Sequence, residues 1–222
     1  MKNRTFENEG RLWVRKALNE NELKTLIETL DIDSKIGARF NMLDVPTKTK
    51  EVLRKVNTLA DDILPNAKLV KLTAFNKISS KTNWALPWHQ DRCIAVQEKI
   101  SAKGFYNWSK KSGIWHCEPP LKFLEKMIFA RVHLDKSDES NGCLELALGS
   151  HKYGKILSNN IGKIITDIEH ELCIAKRGDI LFVKALTLHR SQLSQSTFPR
   201  KALRIDFTNQ DLPSPLNWHL QH

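Results

Sequence analysis

Apolar positions recur at helical spacing early in the chain and change to short runs later. Leu23, Leu26, Ile27 and Leu30 fall three or four residues apart or directly adjacent, which puts them on one face of a helix. Asn19 precedes them and Glu22 follows it by three. In that arrangement each side chain satisfies the other's free backbone N–H at a helix start. Val52, Val56, Leu59 and Ile63 form a second stripe, which Pro65 stops. From residue 68 the texture changes. Apolar runs at 68–75, 127–134, 143–148, 180–186 and 203–207 are separated by turn residues and read as strands. Asn141-Gly142 and Arg177-Gly178-Asp179 supply turn chemistry just before such runs resume. Helices first and many strands afterwards predict an α+β fold, mainly β, with a sandwich or barrel of strands buttressed by N-terminal helices.

Residues 93–121 break this rhythm. They carry Phe105, Tyr106, Trp108, Trp115 and His116, with Gly104 and Gly113, and end in Pro119-Pro120. The segment is too long for a hairpin loop. It reads either as a lid over a binding site or as an irregular excursion that packs its aromatics onto the barrel.

Composition narrows the class only a little. The 222 residues suit one domain, and the 41% hydrophobic and 27% charged content is ordinary for a globular chain. The first eight residues have no apolar core, so a secretory signal is not expected, and no apolar run is long enough to cross a bilayer. A cytoplasmic location is the resulting expectation. Cys93, Cys117, Cys143 and Cys173 are irregularly spaced without a CxxC pair, so reduced thiols are expected rather than a zinc knuckle. The net charge of +10 would attract anions. Its lysines are scattered and accompany no nucleic-acid-binding motif, so nucleic acid is not the expected partner. A small-molecule substrate is, and the basic balance allows it to be anionic. Oligomeric state cannot be read from the chain.

Candidate chemistry begins at His89-Gln90-Asp91. On an extended segment residues two apart face the same side, so His89 and Asp91 can reach one ion while Gln90 points elsewhere. His189 follows the apolar run that starts at Gly178-Asp179, which would place it at the end of that strand, at the mouth of a barrel. Two imidazoles and one carboxylate can hold Fe(II) on one face and leave the other open. Arg200 stands eleven residues after His189. Alternation puts Arg200, Arg204 and Asp206 on one face of a strand, with Leu203, Ile205 and Phe207 on the other. A guanidinium pointing into a barrel needs an anionic partner. A dicarboxylate co-substrate would serve, and for Arg204 so would Asp206. His133 reads as facing core or solvent.

These pieces together resemble the phytanoyl-CoA dioxygenase family of Fe(II)/2-oxoglutarate-dependent oxygenases. The resemblance runs from about Lys68 to Asn209. It rests on Trp88-His89-Gln90-Asp91, Asn141-Gly142-Cys143-Leu144, Gly149-Ser150-His151, Gly178-Asp179 leading to His189, and Arg200-Lys201-Ala202. The proline usual before Gly149 is Leu148 here. The resemblance implies a double-stranded β-helix (a jelly-roll or cupin-like core) with iron at its open end, held by His89, Asp91 and His189. It implies that Arg200 pairs with the distal carboxylate of 2-oxoglutarate, assisted by Ser191, and that Thr73, Arg131 and Lys77 also stand at co-substrate positions. The expected organisation is one domain over 1–222: helical support at 1–66, and a jelly-roll core at 67–210 carrying the lid-like insertion 93–121.

The cofactor set implied is Fe(II), 2-oxoglutarate and O2, and the reaction is hydroxylation of a small organic molecule with release of succinate and CO2. An aspartate at position 91 favours hydroxylation over halogenation, which needs that ligand position for halide. Desaturation, ring closure and epimerisation stay open. From the aromatic segment and the family positions, Trp88, Trp108, His116 and His151 are expected to contact substrate. The competing reading is a jelly-roll binding protein that keeps the barrel and does no redox chemistry.

Overall fold

The computed structural model describes residues 2–30, 32, 37–78 and 82–220, without the side chains of 2–4. Its helices are α1 (Lys2–Glu9), α2 (Glu20–Thr29), α3 (Thr47–Asp61) and the short α4 (Leu121–Leu124) and α5 (Ile161–Thr166). Its strands are β1 (Arg11–Val14), β2 (Ala38–Arg39), β3 (Lys68–Lys77), β4 (Leu86–His89), β5 (Ile94–Val96), β6 (Tyr106–Lys111) and β7 (Ile114–Glu118). They continue with β8 (Met127–His133), β9 (Leu144–Ala147), β10 (His170–Leu172), β11 (Ile180–Lys184), β12 (His189–Ser191) and β13 (Arg200–Thr208).

Helix α2 starts as its sequence predicts. Asn19 Oδ1 accepts from Glu22 N at 3.0 Å and Glu22 Oε2 accepts from Asn19 N at 2.8 Å. Helix α3 ends at Asp61, before Pro65 is reached. Leu23 and Leu26 of α2 and Val52, Leu53 and Val56 of α3 are buried against Leu72, Ile128, Val132, Leu203 and Ile205 of the sheet below. Each such side chain contributes about 1.5–3 kcal/mol by leaving water. The N-terminal region is more than helical support, because β1 and β2 belong to that sheet as its two edges.

Two antiparallel sheets make the jelly roll. The larger has the order β1-β11-β8-β13-β3-β2 and the smaller β10-β9-β12-β4. From β3 onward, and leaving aside β5–β7, successive strands cross between the two sheets, with β9 and β10 together in the smaller one. Phe129, Leu181 and Val183 of the larger sheet pack against Leu144 and Leu146 of the smaller, which closes one end of the interior.

Alternation along β13 sends Leu203, Ile205 and Phe207 to the helices. It turns Arg204 toward the smaller sheet, opposite Thr73 of β3 and Arg131 of β8. The larger sheet is therefore apolar outside and unusually charged inside.

Residues 93–121 form a small sheet of order β5-β7-β6. Ile94, Val96, Phe105 and Cys117 are buried with Phe123 and Trp218, and Trp108 and Trp115 pack against this cluster. Tyr106 of the same segment is exposed. All four cysteines are free thiols. No helix among the described residues is long and apolar enough to cross a membrane.

Candidate metal and co-substrate site

His189 does not end the strand that Gly178-Asp179 begins. Strand β11 stops at Lys184, a turn closed by Thr187 N to Lys184 O follows, and His189 opens β12 in the opposite sheet. There it lies directly across from His89 of β4. The turn is buried and satisfied: Leu188 N donates to Ser150 Oγ, and Gln90 Nε2 donates to Leu186 O.

His89, Asp91 and His189 converge, with their ligand atoms all within 4.8 Å of one another. His189 Nε2 is 3.1 Å from Asp91 Oδ2, and His89 Nε2 is 4.0 Å from Asp91 Oδ1. Each ring directs its other nitrogen to a carbonyl two residues back: His89 Nδ1 to Pro87 O at 2.8 Å and His189 Nδ1 to Thr187 O at 2.9 Å. A carbonyl only accepts, so each Nδ1 carries the proton. Both Nε2 lone pairs are left for a metal, with ring orientation set by the backbone.

Electrostatics favour a neutral His89 and an ionised Asp91. Burial lowers the pKa of His89, and the neighbouring His189 lowers it further. Desolvation raises the Asp91 carboxyl, but Arg204 and then His189 outweigh it and hold the group well below the usual carboxylate range. Neutral imidazoles and an ionised carboxylate are the forms that ligate.

Beside the triad lies a cavity of about 90 Å³, lined by Phe75, Trp84, Leu86, Phe129, Leu144 and the polar groups Arg131, Ser191, Arg200 and Arg204. Lys77 is fully buried behind Ser191, donating to Ser191 Oγ at 2.7 Å and to Gln192 O. Arg200 is 2% exposed; its Nε donates to Asn141 O at 3.0 Å and its Nη1 has no partner among the described residues. The Nε of Arg131 is likewise unpartnered. Among the described residues no carboxylate pairs with Lys77, Arg131 or Arg200. Burial pushes Arg131 down to about 10 and Arg200 to about 9, and it pushes Lys77 to about 7, with help from the two arginines. Three buried cations without an acid are costly until an anion arrives. Unpartnered buried guanidinium N–H groups are the donor set a carboxylate requires. The residues present therefore fit both an N,N,O-ligated metal and a carboxylate-bearing co-substrate.

Of the other expected co-substrate residues, Ser191 is at the cavity and also donates to Gly142 O. Thr73 is buried opposite Arg204, its Oγ1 unpartnered, and does not line the cavity.

The four residues expected to contact substrate are not brought to this cavity. Trp88 faces away from it, its ring 4.8 Å from that of His170 and beneath Arg190. Trp108 packs on the cluster around Trp218. His116 is buried in β7, its Nδ1 at Ile114 O. His151 bonds Glu7 O and packs against Gly10. Parity explains Trp88, since it neighbours His89 on a strand and so points the opposite way. Phe75, Trp84, Leu86, Phe129 and Leu144 line the cavity instead. Phe75 and Phe129 share the inward parity of Thr73 and Arg131, and that signal was available in the sequence. His133 is buried, its Nδ1 at Asp179 O.

Fold and site together define the class: a jelly-roll protein with a two-histidine, one-carboxylate metal triad beside a cationic well. The model of the phytanoyl-CoA dioxygenase (PhyH) family matches residues 6–202, and the chain belongs to that family. No curated protein matches the chain.

Solved structures share the fold at low sequence identity. The non-heme alpha ketoglutarate dependent epimerase SnoN from nogalamycin biosynthesis superposes with a TM-score of 0.66 at 15% identity, covering 94% of this chain and 79% of SnoN. The carbocyclase SnoK of the same biosynthesis gives 0.65 at 14% identity, over 95% and 83%. HygX from Streptomyces hygroscopicus, with nickel and 2-oxoglutarate bound, gives 0.64 at 13% identity, over 93% and 85%.

Proposed function

We propose that this protein is an Fe(II)/2-oxoglutarate-dependent oxygenase that hydroxylates a small organic molecule and releases succinate and CO2. The observation that carries the reading is the juxtaposition of the His89–Asp91–His189 triad with Lys77, Arg131 and Arg200, buried basic residues with which no carboxylate among the described residues pairs. Family membership and the fold shared with SnoN and HygX agree with it.

Each residue has a task. His89, Asp91 and His189 hold the metal on one face. Arg200 and Ser191 bind the distal carboxylate of 2-oxoglutarate, with Lys77 and Arg131 adding charge from behind. Phe75, Phe129 and Leu144 line the remaining wall and exclude water. Iron, once bound with 2-oxoglutarate and O2, would supply the oxidising power for the reaction. An aspartate rather than a small residue at position 91 completes the triad and leaves no ligand position for halide.

The names of SnoN and SnoK, epimerase and carbocyclase, favour a second reading in which the same site gives a different outcome. The test is anaerobic loading with Fe(II), then addition of 2-oxoglutarate, O2 and a panel of small organic acids and ring compounds, with succinate and product mass as readouts. A gain of one oxygen atom supports hydroxylation. Loss of two hydrogens or an unchanged mass assigns ring closure, desaturation or epimerisation instead. Succinate release that persists in both Asp91→Ala and His189→Ala overturns the assignment, and failure to take up iron favours the non-catalytic binding barrel.

A further inference from the structure

We infer that Arg204 is a positioning residue for the metal ligand Asp91. It keeps one carboxylate oxygen occupied, so that Asp91 offers a metal its other oxygen alone and the remaining positions stay free for co-substrate and O2. The inference rests on the reading that the triad holds a metal.

Arg204 stands four residues after Arg200 on the same face of β13, the strand that lies between β3 and β8 in the larger sheet. One strand thus turns one arginine to the co-substrate well and another to the metal. The guanidinium of Arg204 is anchored on several sides. Its Nε donates to Asp206 Oδ1 at 2.9 Å, and its Nη2 donates to the same oxygen. Its Cζ lies 4.0 Å from the centre of the Phe129 ring. Asp206 is itself 2.9 Å from Lys71 Nζ. The remaining arm, Nη1, crosses to the other wall of the barrel and donates to Asp91 Oδ2.

Asp206 satisfies the expectation that Arg204 has an acid on its own strand. A structural ion pair with Asp206 would be complete without Asp91, so the contact to Asp91 needs a separate account. Among the described residues Asp91 Oδ2 has two close partners, Arg204 Nη1 and His189 Nε2. His189 Nε2 is the atom that a metal would take. With the metal in place, Arg204 is the described side chain left to orient the carboxylate. Asp91 lies just beyond the end of β4, and its side chain is 30% exposed, so backbone and packing hold it less firmly than they hold His189. A charge-assisted bond from a planar, anchored fork restricts a carboxylate far more than a flexible ammonium would. Hydrogen bonds of this kind to metal ligands typically change metal affinity by about 10- to 100-fold.

The test compares wild type, Arg204→Lys and Arg204→Met as folded, full-length proteins, with thermal melts as the check on folding. Anaerobic titration with Mn(II) and Fe(II) gives metal affinity. The visible spectrum after adding 2-oxoglutarate to the Fe(II) protein reports the coordination around the metal. Arg204→Met is expected to lose about 10- to 100-fold in metal affinity and to alter the spectrum, with Arg204→Lys intermediate. Wild-type affinity and an unchanged spectrum in a folded Arg204→Met overturn the inference. Should Arg204→Met fail to fold, Asp206→Asn removes the charge that anchors Arg204 Nε and Nη2 and so loosens the hold of Nη1 on Asp91. Weaker metal binding in that variant supports the inference, and no change overturns it. A wild-type protein that binds neither metal overturns the triad reading and this inference together, whereas tight wild-type binding with no Arg204 effect overturns the inference alone.

Discussion

The rings of His89 and His189 face each other across paired strands of the smaller sheet, their centroids 4.3 Å apart. They are separated by a hundred positions in sequence, yet a single β-register puts them in contact. Both Nδ1 atoms are tied to backbone carbonyls, so the pair presents two lone pairs to one point beside Asp91.

Arg200 is a buried cation of the well, and its Nη1 has no partner among the described residues. Arg200→Ala is expected to weaken 2-oxoglutarate binding by at least about 2 kcal/mol, roughly 30-fold, because the co-substrate loses a buried charged partner. Arg200→Lys restores only part of this, since an ammonium cannot bond a carboxylate through a fork. Calorimetric titration of the metal-loaded protein measures both, and an affinity within twofold of wild type for Arg200→Ala would argue against this placement of the co-substrate.

Lys77 is expected to make that binding pH-dependent. Burial, then Arg200 and Arg131, pushes its pKa down to about 7. Below that value it is an ammonium and attracts the dianion; above it the amine is neutral and the attraction is lost. Affinity for 2-oxoglutarate is therefore expected to fall as pH rises from about 6 to about 8, and an anion bound nearby draws a proton onto Lys77. Calorimetry in two buffers of different ionisation heat reads the proton uptake directly. Lys77→Met should abolish both the uptake and the slope.

Two buried imidazoles should make the fold acid-sensitive. Burial pushes His133 down to about 3 and His116 to about 4. Unfolded histidines titrate near 6.5, so below that pH the unfolded chain binds more protons than the folded one, and stability falls as the pH drops. The loss continues until the folded-state values are reached. Thermal melts between pH 7.5 and 4.5 should show a declining Tm, with a shallower decline in His133→Asn. An equally steep decline in that variant would remove His133 from the account.

Gln90 turns away from the metal and clamps the adjoining chain. Its Nε2 donates to Gly154 O and Leu186 O at 2.8 and 2.7 Å, and its Oε1 accepts from Ile156 N at 2.9 Å. Gln90→Leu takes this partner from the buried Leu186 O and Ile156 N and from the half-buried Gly154 O, at a cost of about 1–3 kcal/mol for each one that stays dry. Denaturant unfolding should show the loss. Metal affinity should drop with it, because the same residue fixes the segment between His89 and Asp91.

Much of this was legible in the chain. The stripes of α2 and α3, the Asn19–Glu22 cap, the longer strands, and the inward set Arg200, Arg204 and Asp206 all follow from periods of 3.6 and 2, which are local properties of the backbone. The chemistry of His89-Gln90-Asp91 could be read because two positions on an extended chain share a side. Strands of two to four residues, such as β1, β2 and β4, carry too few positions to show a period. The tertiary structure decided that His189 begins a new strand in the facing sheet, and that Trp84 rather than Trp88 looks into the cavity. It also decided that Arg204 reaches past Asp206 to Asp91, a partner 113 residues away. The physical reason is that parity says which face a side chain takes, whereas closure of the two sheets into a barrel sets what stands opposite it.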